Sequence, residues 1–164
     1  MRLGIWKLIA TAGGAGYLPK APGTFGAVVG ILLLGLCNYW VAVGWVSTGF
    51  FPESQFIFWI ILTTVVGAKS AHILSSEAGW EKDDQRIVID EVVGVWIAML
   101  FVPVYMYSLF VGFVLFRFYD IKKPFGIRWM ERFGRGWGVM LDDVLAGVYA
   151  CLTIHVIRYL VTFA

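Results

Sequence analysis

Long uncharged stretches alternate with short polar ones along this chain, and their lengths predict its elements. Residues 27–46, AVVGILLLGLCNYWVAVGWV, are 20 consecutive positions without a charge, about the length of helix that crosses a ~30 Å hydrocarbon core. A second run starts at Phe56 and stays apolar to Ala68, after which Lys69 and His72 let it continue only as a helix ending near a membrane interface. Residues 47–55, between these two runs, contain Glu53 and no Lys or Arg, and read as a short loop. Residues 92–115 are again uncharged, and a last apolar stretch begins at residues 144–154 before His155 and Arg158. The N-terminal MRLGIWKLIATAGG has a basic start, but Lys7 cuts its apolar core shorter than a signal peptide requires. An interfacial helix is expected there. No repeat, low-complexity tract or linker divides the chain, so residues 1–164 read as a single domain.

Composition turns apolar helices into membrane helices. Hydrophobic residues make up 60% and charged residues 15% of the 164 positions, and mean hydropathy is +0.79. Ordinary globular domains hold roughly 45–50% and about 25%. A chain this short cannot hide so much apolar surface from water. The predicted fold class is all-α: a polytopic membrane helical bundle of four to five hydrophobic helices with short or re-entrant elements.

Charge then constrains the topology. Lys and Arg number three before residue 26 (Arg2, Lys7, Lys20), three in 69–91 (Lys69, Lys82, Arg86) and six in 117–137 (Arg117, Lys122, Lys123, Arg128, Arg132, Arg135). The positive-inside rule places all three segments on the cytoplasmic side. Residues 88–119 must then cross an even number of times, which predicts a hairpin of two short helices turning near VPVYMY at 102–107. Pro103 favours a break there, and Tyr105 and Tyr107 suit an interface. Each arm, about 15 residues, would reach ~22 Å. A single tilted pass is the alternative. The net charge of +2 and the lack of a basic run interleaved with aromatics leave no case for nucleic acid. Cys37 and Cys151 lack CxxC partners, and His72 and His155 lack partners at metal spacing.

On this topology the charged residues gather at helix mouths on one side of the membrane. IVIDEVVGVWIAM carries Asp90 and Glu91. LFRFYDIKKP carries Arg117 and Asp120 on one helix face, with Lys123 beyond. GVMLDDVLAGVYA places Asp142 and Asp143 in an otherwise apolar stretch. A carboxylate at the centre of a membrane helix costs ~2.5–3.5 kcal/mol on insertion scales, so five at helix mouths call for a shared reason. Small residues follow them at helical spacing: Asp90, Gly94, Ala98; Asp142, Ala146, Ala150; Asp143, Gly147. Such faces let helices approach closely, and close approach would cluster the carboxylates. A hard divalent cation, above all Mg²⁺, suits such a cluster, because it is held by carboxylates while binding substrate phosphate. Arg117 and Lys123 are then partners for phosphate oxygens. APGTFG at 21–26 adds a helix start that attracts anions, with Thr24 offering a hydroxyl. Taken singly, an aspartate could be an N-cap, Asp90 and Glu91 could be dipole-favoured first-turn acids, and the cations could be headgroup anchors.

In this order, APGTFG at 21–26, KDDQRIVIDEVVG at 82–94, FRFYDIKKPFGIRW at 116–129 and GVMLDDVLAGVYA at 138–150 resemble the phosphatidylglycerophosphatase A family. Two positions depart from its pattern. Gly126 stands where the family often has a second proline, and Asp84 where proline or histidine is usual. The resemblance implies a multi-pass enzyme of the bacterial inner membrane, with its active site on the cytoplasmic face. It would remove the terminal phosphate of phosphatidylglycerophosphate with Mg²⁺ as cofactor, working on a lipid substrate with no obligate protein partner. Carried over, Asp90, Glu91, Asp120, Asp142 and Asp143 are metal ligands, and Thr24, Arg117 and Lys123 contact phosphate. Asp143 or Glu91 is the catalytic base. A Cys-x5-Arg loop would need arginine at Val43 or Ile157, and no Asp-x-Asp pair is present, so direct attack by water is expected rather than a covalent intermediate. A small ion carrier with clustered intramembrane carboxylates is the rival reading.

Overall fold

The structure, a computed structural model, describes residues 2–42, 53–81, 84–124, 126–130, 132–134 and 136–163. Among them are seven α-helices and no strand: α1 (Arg2–Ala10), α2 (Pro22–Ala42), α3 (Glu53–Glu77), α4 (Ile89–Ala98), α5 (Met106–Lys122), α6 (Ile127–Met130) and α7 (Trp137–Phe163), with a 3₁₀ turn at Ala15–Tyr17. The fold is all-α, as expected. Three helices are long and apolar enough to cross a membrane, over Pro22–Tyr39, Ser54–Glu77 and Trp137–Thr162. Most of the predicted 47–55 loop lies outside the described residues.

Local chemistry explains the boundaries. Gly13 and Gly14 adopt positive φ and end α1, the Gly13 N–H donating to the Leu8 carbonyl at 2.8 Å. Pro22 opens α2 at the first helical position, where its missing N–H costs nothing. This start lies five residues before the predicted run, because Pro-Gly-Thr continues the helix beyond its apolar core. The expected hairpin is present as α4 and α5, with the break at residues 99–105. Its arms are unequal. The 10 residues of α4 reach ~15 Å and the 17 of α5 ~25 Å, so α4 is too short to cross a ~30 Å core by itself. Ser108 stabilises the start of α5, accepting from the Tyr105 N–H at 2.9 Å and donating to the Pro103 carbonyl at 2.5 Å.

Short as it is, α4 is the axis of the bundle. Val92, Val93, Val95 and Ala98 are buried on it, and neighbours reach its backbone through glycines. A methyl group at Gly26 or Gly30 of α2 would run into Val88 or Val95, and one at Gly147 of α7 would run into the Gly94 carbonyl. Trp96 Nε1 adds a hydrogen bond to the Gly30 carbonyl at 3.1 Å. The small-residue faces read from the sequence on α4 and α7 are therefore contact faces. The hairpin tip is tied down by side chains: Asn38 donates to the Val104 carbonyl, Cys151 to Leu100 and Arg158 to Phe101, at 3.4, 3.5 and 3.2 Å. Carbonyls in the 99–105 break lie outside regular helix, and these side chains supply donors to them. Outside the bundle, α1 packs along the end of α3, with Lys69 over Trp6 at 5.4 Å and Lys7 over Trp80 at 6.0 Å. Ile5 and Leu8 of α1 stay exposed.

Candidate active site

Four chain segments meet at one end of α4. Asp90 and Glu91 occupy its first turn, where the helix dipole favours acids. Unlike ordinary first-turn acids they are enclosed: Asp90 is 7% exposed and the Glu91 side chain 14%. From α7 comes Asp143, 4% exposed, with Asp142 beside it. These two are the sixth and seventh residues of a helix that begins at Trp137. Position therefore rules out N-capping for both. Close approach brings Asp143 to the α4 acids, since Gly94 has no side chain to hold the helices apart. A Cβ there would meet the Asp143 carbonyl at 2.9 Å.

The cations come from α5 and the residue that ends it. Arg117 Nη1 lies 2.5 Å from Asp120 Oδ2, one helical turn on, and 3.9 Å from Glu91 Oε1. Lys123 caps the C-terminus of α5 in the left-handed region, φ 44°, a conformation unusual for a residue with a side chain. It places Nζ 2.7 Å from Asp142 Oδ2. The first turn of α2 completes the enclosure. A Cβ on Gly23 would collide with Glu91 Oε1 and lie 3.2 Å from Arg117 Nη1, so only glycine lets the α2 backbone come this near. Thr24, half-buried in the same turn, has no contact tying its hydroxyl to the acids among the described residues.

Asp90, Glu91, Asp120, Asp142, Asp143, Arg117 and Lys123 are thus brought together, with Thr24 at the margin. Gly23 escaped the sequence reading. Its signal was the Gly23, Gly26, Gly30 spacing, which repeats along one face of an apolar helix and so marks close packing.

The donor set fits a hard divalent cation. Asp90, Glu91 and Asp143 each offer a carboxylate oxygen, and these oxygens lie within 4.8 Å of one another. Glu91 Oε2 is buried without a hydrogen-bond partner, as is Arg117 Nε. Three buried carboxylates this close repel one another, and buried polar atoms without partners are rare in folded proteins. An oxygen-preferring cation among the acids and an anion against Arg117 would answer both conditions.

Gly126 and Asp84 both have local consequences. Gly126 takes φ +88°, which a proline cannot adopt, and its carbonyl accepts from the Trp129 N–H at 2.9 Å. The chain after Lys123 is shaped by that turn. Asp84 accepts from the Arg86 backbone N–H at 3.0 Å and from its guanidinium. That partner holds the Asp84 carboxyl below its ordinary value, mainly through the side-chain hydrogen bond. Arg86 in turn stacks 4.0 Å over Trp80, pinning the strand of chain that leads to Asp90.

Comparison with known proteins adds the following. The sequence model of the family described as Phosphatidylglycerophosphatase A matches residues 8–158. A Bacteroides thetaiotaomicron protein provisionally named phosphatidylinositol-3-phosphatase is 39% identical, covering 94% of both chains. Proteins named Phosphatidylglycerophosphatase A from Haemophilus influenzae and Escherichia coli K12 are 33% and 31% identical. These matches cover 93% and 94% of this chain, and 88% and 84% of the relatives. No solved structure matches.

Proposed function

The chain belongs to the phosphatidylglycerophosphatase A family, and from that premise we propose that it hydrolyses the terminal phosphate monoester of phosphatidylglycerophosphate. The products are phosphatidylglycerol and inorganic phosphate. The observation that carries this reading is the convergence of Asp90, Glu91 and Asp143 beside Arg117 and the start of α2. Acids alone would serve a carrier as well. Acids with cations and a helix N-terminus at the same mouth suit a phosphate ester, and the carrier reading is not favoured.

Asp90, Glu91 and Asp143 would hold a divalent cation such as Mg²⁺, which when bound supplies charge neutralisation at the phosphoryl group. Arg117 presents its planar fork to phosphoryl oxygens, with Lys123 as a second positive charge. The Gly23 and Thr24 N–H groups at the start of α2, with the Thr24 hydroxyl, would add donors to the same anion. Asp143 or Glu91 orients a water and accepts its proton as oxygen attacks phosphorus in line. The phosphorus–oxygen bond to glycerol breaks, and the leaving oxygen takes up a proton. Because the acids sit at helix mouths, the diacylglycerol tails can stay in lipid while the headgroup enters. The positive charges on the same side favour a cytoplasmic face of the inner membrane.

A phosphoinositide reading uses the same residues and is favoured by the Bacteroides relative, whose identity exceeds that of the other two. The test is phosphate release by the purified protein from phosphatidylglycerophosphate and from phosphatidylinositol 3-phosphate in matched micelles. Preference for the first supports the proposal. Preference for the second transfers the mechanism to an inositol headgroup, and release from neither sinks the phosphatase reading.

A further inference from the structure

Five acids crowd this site, but they do not have equal surroundings. Three of them, Asp90, Glu91 and Asp143, bring carboxylate oxygens within 4.8 Å of one another. The other two each place an oxygen on a cation: Asp120 on Arg117 at 2.5 Å and Asp142 on Lys123 at 2.7 Å. We propose that Asp120 and Asp142 are positioning residues that aim Arg117 and Lys123 at the phosphoryl group, leaving Asp90, Glu91 and Asp143 as the cation-binding set. This division rests on the phosphatase reading above and replaces an undivided five-acid metal site.

The geometry favours separate roles. Arg117 Nη1 stands 3.9 Å from Glu91 and much closer to Asp120, so Asp120 is its nearer countercharge, an ion pair without hydrogen-bond geometry. Its Nε stays buried without a partner, which leaves a donor on the fork for an incoming anion. Lys123 is held at the end of α5 by a left-handed turn, with its N–H on the Tyr119 carbonyl at 2.8 Å. An ammonium on a four-carbon stem has many rotamers, and Asp142 selects the one that points inward. A neutral amide at either acid would remove that countercharge without removing a ligand from the trio.

The test uses Mn²⁺ as probe, its binding to the full-length protein in detergent read by the electron paramagnetic resonance of the free ion. Asp143→Asn is expected to lose Mn²⁺. Asp120→Asn and Asp142→Asn are expected to keep affinity within about threefold while KM for the lipid phosphate rises about 10- to 100-fold, the scale of a lost orienting partner. Asp142→Glu should recover most of that KM, and it also replaces the Asn variant if that one fails to fold. In the double variant Lys123→Gln with Asp142→Asn, KM should be no worse than for Lys123→Gln alone, because the acid acts through the cation. Loss of Mn²⁺ in Asp120→Asn or Asp142→Asn to the extent seen in Asp143→Asn overturns the division while leaving the phosphatase reading intact. A wild-type protein that neither binds Mn²⁺ nor releases phosphate overturns both.

Discussion

At its N-terminus α4 enters a pocket of carboxylates and cations; at its C-terminus, nine residues on, it borders an apolar cavity of about 590 Å³ lined by Leu33, Cys37, Phe56, Trp59, Trp96 and Pro103. Both ends hold polar side chains, but they are used differently. Around the hairpin tip, Asn38, Cys151 and Arg158 each donate to a backbone carbonyl. Their role ends with backbone satisfaction. At the other end, side chains face side chains, and Glu91 Oε2 and Arg117 Nε remain buried without partners. A polar group that serves the fold is satisfied by the fold, so the unsatisfied ones mark where a ligand would complete the structure.

This contrast can be broken most sharply at Gly23. Alanine there would push on Glu91 and Arg117, whose flexible ends can give way without unfolding the helices. Gly23→Ala is expected to lower phosphate release about 10- to 100-fold, the scale of a disturbed supporting shell, with the melting temperature in detergent nearly unchanged. A large drop in melting temperature with normal turnover per folded molecule would reverse the assignment of the two ends. The opposite pattern is expected at the tip. Arg158→Met leaves the Phe101 carbonyl without its donor and, because this bond is exposed, should cost about 0.5–1.5 kcal/mol of stability, read by thermal unfolding, while KM stays at its wild-type value. The smallest effect belongs to Asp84, which lies in neither region. Its carboxyl is held below the ordinary value of 3.8 by Arg86, so its stabilising contribution is full above that value and fades as pH falls through the lowered one. Asp84→Asn should therefore melt slightly below wild type at neutral pH and converge with it in strong acid. The difference is small because the Arg86 side chain is 43% exposed and water screens its charge.

Much of the fold could be read from hydropathy because a membrane imposes a length on every spanning helix. The charge-free run that became α2, the continuation of α3 past Lys69 and the break around Pro103 all follow from that constraint. The unequal hairpin arms do not. Residues 92–115 are uniformly apolar, and only the packing of Gly94 against α7 and of Val92 and Val95 against Gly30 determines how much of that stretch is α4. The site divides in the same way. Charges in an apolar chain announce themselves, so the acids and both cations were visible. Which acid faces which cation depends on helix rotation, and Gly23 is detectable only through a spacing that marks close contact without naming its partner.

The most direct test of a carboxylate-held cation acting on a lipid phosphate is phosphate release from phosphatidylglycerophosphate in detergent, with and without Mg²⁺, for wild type and Asp143→Asn. Release that requires the metal, and that falls by about 10²-fold or more in the variant while it stays folded, is the predicted result. Equal release with the metal removed by chelation, or an Asp143→Asn protein as active as wild type, would contradict it.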